Sequence, residues 1–263
     1  MAIGATRQPG CQEGSASDFN DDRAIQGRLA PGMAAMSSQK EIFRASEADA
    51  WFNRNQGLVC GGTPQRSEVV DLLRGAGIAP KKVLEIGCGN GVRLEQIREA
   101  FHCACFGIDP STEAVRDGKT RFPALSLTTG TADCLDFRND SFDTIFFGFC
   151  LYLCDRADLF KIAYEADRCL EDQGTLIITD FSPGFPYRNT YAHHDNVYSY
   201  KMDYAKMFSW NPGYSETARI VHGHSGSGDF NSADNRVGTI VLRKNGACAY
   251  PTDPYRVTDG PTP

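Results

Sequence analysis

No stretch of eighteen apolar residues occurs in the 263-residue chain, and its first thirty residues have neither a basic start nor an apolar run. A membrane span and a secretion signal are therefore both unsupported, and a cytoplasmic protein is expected. Basic charge is scarce as well, since 27 Lys plus Arg against 33 Asp plus Glu leave a net charge of −6. That balance gives no electrostatic footprint for gripping a polyphosphate, so nucleic acid is not expected as a partner. Closely paired cysteines of the zinc-site kind are missing too. The ten Cys are scattered through apolar stretches and read as reduced, buried thiols rather than a disulfide framework, with no metal expected. What the chain does have is 41% hydrophobic residues, enough for one sizeable core with a short tail at either end.

Residues 1–40 are rich in Gly, Ala, Ser and Gln with almost no aliphatic periodicity, which predicts a disordered extension. Met36 opens a stretch with the look of a natural start, which would make the residues before it an added leader. The Pro-rich segment 246–263 reads as a tail, leaving 41–245 as one domain. Within it, apolar strands alternate with helical patterns. The expected order is a helix at Ser67–Arg74, a strand at Val83–Ile86, a helix from Gly91 to Phe101 and a strand at Cys103–Ile108. A short helix capped by Ser111 follows, then strands at Leu125–Thr129 and Phe142–Phe147. A helix behind Asp155 aligns Leu159, Ile162, Ala166 and Leu170, ahead of a strand at Thr175–Thr179. Ala218–His222 and Arg236–Leu242 add an antiparallel hairpin at one edge. This rhythm predicts an α/β, Rossmann-like, mostly parallel sheet with helices on both faces and ligands beyond the carboxyl ends of its strands.

The strongest local signal is Val83-Leu84-Glu85-Ile86-Gly87-Cys88-Gly89-Asn90-Gly91, a buried strand running into three glycines at alternate positions and then a helix. Glycines there remove every Cβ between a ligand and the backbone. Asp109 ends the second strand, where a carboxylate can accept both ribose hydroxyl protons of an adenosine, and Asp133 follows the third. Three acids thus fall at successive strand ends. No Lys or Arg lies in the turn and the Gly-Lys-Ser/Thr ending of a phosphate loop is absent. Asp143, at a strand start, reads as structural.

With VLEIGCGNG, GIDPS at 107–111, TADCLDFRNDSFD at 131–143 and FFGFCLYL at 146–153, the chain resembles a class I S-adenosylmethionine-dependent methyltransferase over about residues 80–181. The resemblance implies a seven-stranded sheet and S-adenosylmethionine as cofactor, with S-adenosylhomocysteine as product. It places Gly87, Cys88, Gly89 and Gly91 at the methionine part with Glu85 bracing them, and Asp109 at the ribose. Asp133 would meet the adenine amino group, the backbone around Cys134 and Leu135 the ring edge, and Gly148–Phe149 the sulfonium.

The segment 181–214 holds ten of the protein's 28 aromatics. Such density suggests a lid or wall over an acceptor pocket at 182–216, or else a second small core under a long insertion. Tyr187, Tyr191, Tyr198 and Tyr200 are candidate substrate contacts. His193 and His194, beside Asp195, are candidate bases that could remove a proton from an acceptor; surface histidines would look the same. Asp203 is read as the cap of a short helix containing Met207 and Phe208. Trp51, Phe52 and Arg54 lie on an amphipathic stretch that in similar enzymes often folds over the cofactor. The expected activity is methyl transfer to an oxygen or nitrogen of a small metabolite, by resemblance a sugar, polysaccharide precursor or natural product. A non-catalytic S-adenosylmethionine-binding protein and an enzyme acting on RNA or protein stay open, as does a homodimer.

Overall fold

A computed structural model describes residues 38–60, 68–224 and 231–250, with the side chains of 57–60 left aside. Among them the chain opens with two helices, α1 (Gln39–Ile42) and α2 (Ala48–Cys60), joined through a widened π turn at Phe43–Glu47. Ser38 closes a capping box with Glu41 at the start of α1. The alternating part then runs α3 (Glu68–Gly75), β1 (Lys82–Ile86), α4 (Val92–Phe101), β2 (Ala104–Asp109), α5 (Thr112–Arg121), β3 (Ser126–Thr129) and β4 (Phe142–Gly148). After a 3-10 turn at Leu151–Leu153 and another at Arg156–Asp158 come α6 (Leu159–Cys169) and β5 (Leu170–Phe181). A separate hairpin, β6 (Tyr187–Thr190) with β7 (Tyr198–Lys201), precedes α7 (Lys206–Ser209) and the edge strands β8 (Tyr214–Gly223) and β9 (Arg236–Lys244).

The seven strands lie in the order β3-β2-β1-β4-β5-β9-β8. The first five are parallel, and β9 and β8 close the sheet antiparallel. β1 sits inside, with Glu85 opposite Gly107 on one side and Phe146 on the other. Its continuous burial from Val83 to Ile86 is what a parallel strand covered on both faces requires. One face packs Leu84, Ile86, Ile145 and Phe147 against Ile162 and Ala166 of α6 and Phe208 of α7. The other packs Val83, Phe146 and Ile177 against Leu73 of α3, Leu94 and Ile97 of α4 and Val115 of α5. The expected sheet, its helices on both faces and its antiparallel edge are all present.

The details depart from the sequence reading where tertiary pairing overrides periodicity. Leu170, expected on a helix, begins β5 opposite Phe142. The helix ends there because Asp140 N–H and Ser141 N–H capture the carbonyls of Arg168 and Cys169. β5 correspondingly starts earlier than Thr175 and is twelve residues long. Ser111 caps α5 as expected, its Oγ accepting from Ala114 N–H at 3.0 Å, and Asp143 accepts from the N–H groups of Lys81 and Lys82 at the foot of β1. Asp203 does not cap α7, whose first flank is Ala205; it accepts from Ala205 N–H one turn earlier. Of the segment expected to be disordered, Ser38–Lys40 belong to the folded body and residues 1–37 lie outside the described residues. At the other end, 251–263 lie outside them as well, while Gly246–Cys248 form a 3-10 turn capped by Asn245.

The aromatic insertion divides its rings between two tasks. Tyr204, Phe208 and Tyr214 enter the main core on the α6 face. The remaining rings decorate the β6–β7 hairpin or, like Phe185 and Trp210, face solvent. Among the described residues no helix is long and apolar enough to cross a membrane.

Candidate functional site

β1 delivers its chain into the turn Gly87–Gly91, in which Gly87, Gly89 and Gly91 all adopt positive φ. Gly87 has a second reason to be glycine, because a Cβ there would lie 2.5 Å from Cys150 Cβ. The exit of β4 is thereby pressed against the turn. Beyond these strand ends opens one part of a cavity that continues along α3 and the β8–β9 edge, about 1630 Å³ in all. Its walls include Glu85, Gly87, Cys88, Gly89, Asp109, Asp133, Gly148 and Phe149, so most of the residues named for the cofactor share one hollow. Gly91 is set behind it, turned toward Leu125 and Leu127.

Each of the three acids has its own environment. Glu85 is buried at the base, where burial pushes its carboxyl up to about 7 against the opposing pull of Arg93. Arg93 Nη1 donates to Oε1 at 2.6 Å, while Oε2 is buried without a hydrogen-bond partner. Burial also raises Asp109, and the N–H groups of Ser111 and Gly89 oppose that shift through bonds of 2.8 Å each. Burial acts upward on Asp133 too, but hydrogen bonds from Lys40 and Thr131 outweigh it and hold the carboxyl below its ordinary range. Lys40 Nζ lies 2.9 Å from Asp133 and 2.6 Å from Asp158. The rim is therefore less anionic than the bare sequence implied: Arg93 answers Glu85, and Lys40 with Lys161 answers Asp133.

Lys40 belongs to a lid. The α1–α2 segment lies across the cavity and lines it with Lys40, Phe43, Ala48 and Trp51. Several anchors hold it. Asp155 accepts from the N–H groups of Gln39 and Lys40, and the Gln39 amide bonds Leu153 O and both backbone groups of Tyr198. Asp49 accepts from Ser111 Oγ and Glu113 N–H. Trp51 and Tyr152 line the same hollow, one from the lid and one from the β4 exit. Phe52 is buried, and Arg54 binds Glu47 and Tyr191.

The β4 exit is itself braced from below. Asp180, at the end of β5, accepts from Leu151 N–H and Tyr152 N–H, and burial pushes its carboxyl up to about 7. Phe149 stands at φ +63, with its ring among those of Tyr152, Phe181 and His224.

Other expectations fare differently. The N–H groups of Cys134 and Leu135 are committed to Thr131 O and Glu165 Oε2, so neither is free for an adenine edge. The cavity wall at that point is Gly130–Asp133. No residue of 182–216 lines the cavity, so the insertion does not wall it. Tyr187 binds Asp234, Tyr191 binds Glu47, Tyr198 lies under Arg188 and Tyr200 under Arg156. His193 stands edge-on to Tyr191 on the turn between β6 and β7. His194 Nδ1 meets the backbone carbonyl of Asp195 at 2.6 Å, not its carboxylate, so the expected His–carboxylate pair is not formed. Among the described residues no cluster of three or more His, Cys, Asp and Glu is placed to hold a metal. Sequence reasoning missed Lys40, Phe43 and Tyr152 as wall residues, and the only local signal for them was the amphipathic stretch around Trp51.

The features of the hollow fit an S-adenosyl group. The orphaned Glu85 Oε2 is an acceptor awaiting a cation, and it is held at the foot of the hollow by close packing on Gly148, where a Cβ would strike Glu85 Oε1 at 2.5 Å. Asp109 keeps lone pairs for two hydroxyls beyond its two backbone bonds.

Comparison with known proteins agrees. Residues 83–174 match the family described as a methyltransferase domain. A demethylmenaquinone methyltransferase of Thermotoga maritima is 30% identical over 142 residues, covering 52% of this chain and 57% of that protein. A fatty-acid O-methyltransferase of Mycolicibacterium smegmatis is 28% identical over 113 residues, covering 42% and 40%. The chain thus spans about half the length of these curated relatives. A 1,6-didemethyltoxoflavin-N1-methyltransferase of Burkholderia thailandensis, crystallised with 1,6-didemethyltoxoflavin and S-adenosylhomocysteine, superposes with a TM-score of 0.62 at 16% identity, over 84% of this chain and 97% of that one. By its sheet, its glycine turn with an acid at the next strand end, and this family match, the chain carries over residues 83–174 a methyltransferase-type domain similar to those of the class I S-adenosylmethionine-dependent enzymes.

Proposed function

We propose that the protein transfers a methyl group from S-adenosylmethionine to an oxygen or nitrogen atom of a small metabolite. The observation that carries this reading is the convergence of a buried, half-satisfied Glu85, the Asp109 carboxylate and the side-chain-free turn on one hollow. When bound, S-adenosylmethionine supplies a methyl carbon on a cationic sulfur. Glu85 Oε2 takes the amino group of the methionine part, and the Gly87–Gly89 backbone lies along it. Asp109 accepts from the ribose hydroxyls. Asp133, shared with Lys40, receives the adenine amino group, and the Gly130–Asp133 segment flanks the ring. Phe149 and the lid rings exclude water from the face where the acceptor enters, so the chain's contribution to rate is alignment in a dry site. The relatives named for demethylmenaquinone, fatty acid and 1,6-didemethyltoxoflavin support a small-molecule acceptor, and the net charge of −6 speaks against RNA.

Calorimetry with S-adenosylmethionine and S-adenosylhomocysteine tests the reading. Both should bind, and Asp109→Ala should weaken binding by at least about tenfold, the loss expected for hydrogen bonds to a charged group at about 1.5–3 kcal/mol. Undiminished affinity in the variant would refute the ribose contact, and absence of binding to the unaltered protein would refute the function.

A further inference from the structure

The Glu85–Arg93 pair is packed into the junction between the glycine turn and the β4 exit. A Cβ on Gly148 would lie 2.5 Å from Glu85 Oε1, 2.7 Å from Arg93 Nη1 and 2.9 Å from Gly87 O. Both charges therefore meet where the backbone carries no side chain, and both residues line the hollow. Glu85 is buried, whereas the Arg93 side chain keeps 34% of its surface open. Each partner has capacity left over. Glu85 Oε2 is buried without a hydrogen-bond partner. A guanidinium carries several N–H donors in one planar fork, and the 2.6 Å bond to Glu85 Oε1 uses a single one. A carboxylate and a guanidinium set side by side are the charge complement of an α-amino acid, whose ammonium and carboxylate stand on one carbon. We propose that Arg93 is a further cofactor-binding residue, receiving the carboxylate of the methionine part while Glu85 receives its ammonium, so that the site selects ligands with an intact amino-acid end. This rests on the methyl-transfer reading.

The guanidinium is held ready from two directions. Arg93 is the second residue of α4, so its stem leaves the helix directly behind the turn. Glu85 fixes one edge of the fork, and the ring of Phe146, with its centre 4.8 Å away, supports the guanidinium. Little side-chain freedom is then left to lose when a ligand arrives. The other described lysine and arginine side chains lining the cavity are engaged elsewhere. Lys40 answers Asp133 and Asp158 at the adenine end, and Arg243 donates to Thr175 Oγ1 near the opposite end of β5. Charge balance agrees as well. A zwitterion adds one charge of each sign to a pair that already holds one of each, so binding leaves no net charge in the hollow.

Calorimetry at about pH 7 with S-adenosylhomocysteine and with its decarboxylated amine tests the assignment. Both ligands keep the adenosine, the sulfur and the ammonium, and only the first has the carboxylate. The unaltered protein should bind S-adenosylhomocysteine at least about tenfold more tightly than the amine, the worth of hydrogen bonds between charged groups. Arg93→Met should erase that preference. Removing the guanidinium also alters Glu85, but this falls on both ligands alike, so the difference between their losses isolates the carboxylate. Arg93→Lys, which keeps a charge beside Glu85 without the planar fork, should retain a severalfold part of the preference. It carries the same comparison if Arg93→Met does not fold. An unaltered protein that binds the two ligands equally, or variants that weaken both by the same factor, would overturn the role of Arg93; the second pattern is what a merely structural residue gives. Failure of the unaltered protein to bind S-adenosylhomocysteine at all would instead sink the methyl-transfer reading, and the assignment with it.

Discussion

Cofactor binding should release a proton below neutral pH, and Glu85 should be its source. The carboxyl is enclosed and pushed up to about 7, so at about pH 6 roughly nine in ten free sites carry a proton on it. A bound methionine ammonium requires the ionised form, because a neutral acid offers Oε2 no charge to set against it. The sign follows: affinity falls as pH drops through the site's midpoint. Between about pH 7 and about pH 6, where the cofactor's own amino group stays charged, the loss should be about fivefold, or about 1 kcal/mol. Calorimetric titration in two buffers of different ionisation enthalpy counts the proton directly. About 0.9 proton should leave per cofactor at about pH 6. Glu85→Gln isolates this group from Asp180, which also titrates near 7: the variant should bind more weakly and release no proton. If the unaltered protein released none at about pH 6, the role given to the orphaned oxygen would be wrong.

Two further perturbations address the lid and the packing behind the turn. Lys40→Met removes the cation that holds Asp133 and Asp158; it should speed cofactor association severalfold in stopped-flow fluorescence from Trp51, while a part-exposed ion pair contributes under about 1 kcal/mol to stability. An unchanged association rate would count against a latch. Gly118→Ala would drive a Cβ into the Asn90 carbonyl and to 2.5 Å from Leu127 Cδ1, and urea unfolding should show an overpacking loss of about 1–3 kcal/mol, whereas an unmoved midpoint would show that α5 can shift away.

The sheet and the cofactor rim were legible because their signals are local. Val83–Gly91 carries strand, turn and helix start in nine consecutive residues, and Asp109 declares itself by ending an apolar run. The acceptor side has no such compactness. His193 and His194 drew attention by adjacency, but a two-stranded hairpin carries them to its tip, whereas His224 reaches Phe149 across 75 residues of chain because β8 and β9 fold back beside β5. Leu170 fitted a helical face and went to a strand because pairing with Phe142 buries it just as well. The lid was half visible: the pattern at Trp51 and Phe52 marked a buried face, but nothing near Gln39 announces that its amide pairs with Tyr198, which is 159 positions away. The ring density of 181–214 was real, yet its largest buried members serve the core.

The widened turn at Phe43–Glu47 acts as a phase shifter for everything downstream of it. It accommodates one residue more than a regular coil would, so a single deletion there can be absorbed by a return to ordinary winding that leaves Asp49, Trp51 and Phe52 facing Ser111 and the core. An added residue has no such outlet and would rotate the continuation by about 100°. Length at this spot is consequently constrained in one direction: loss of one residue should be tolerated far better than gain of one.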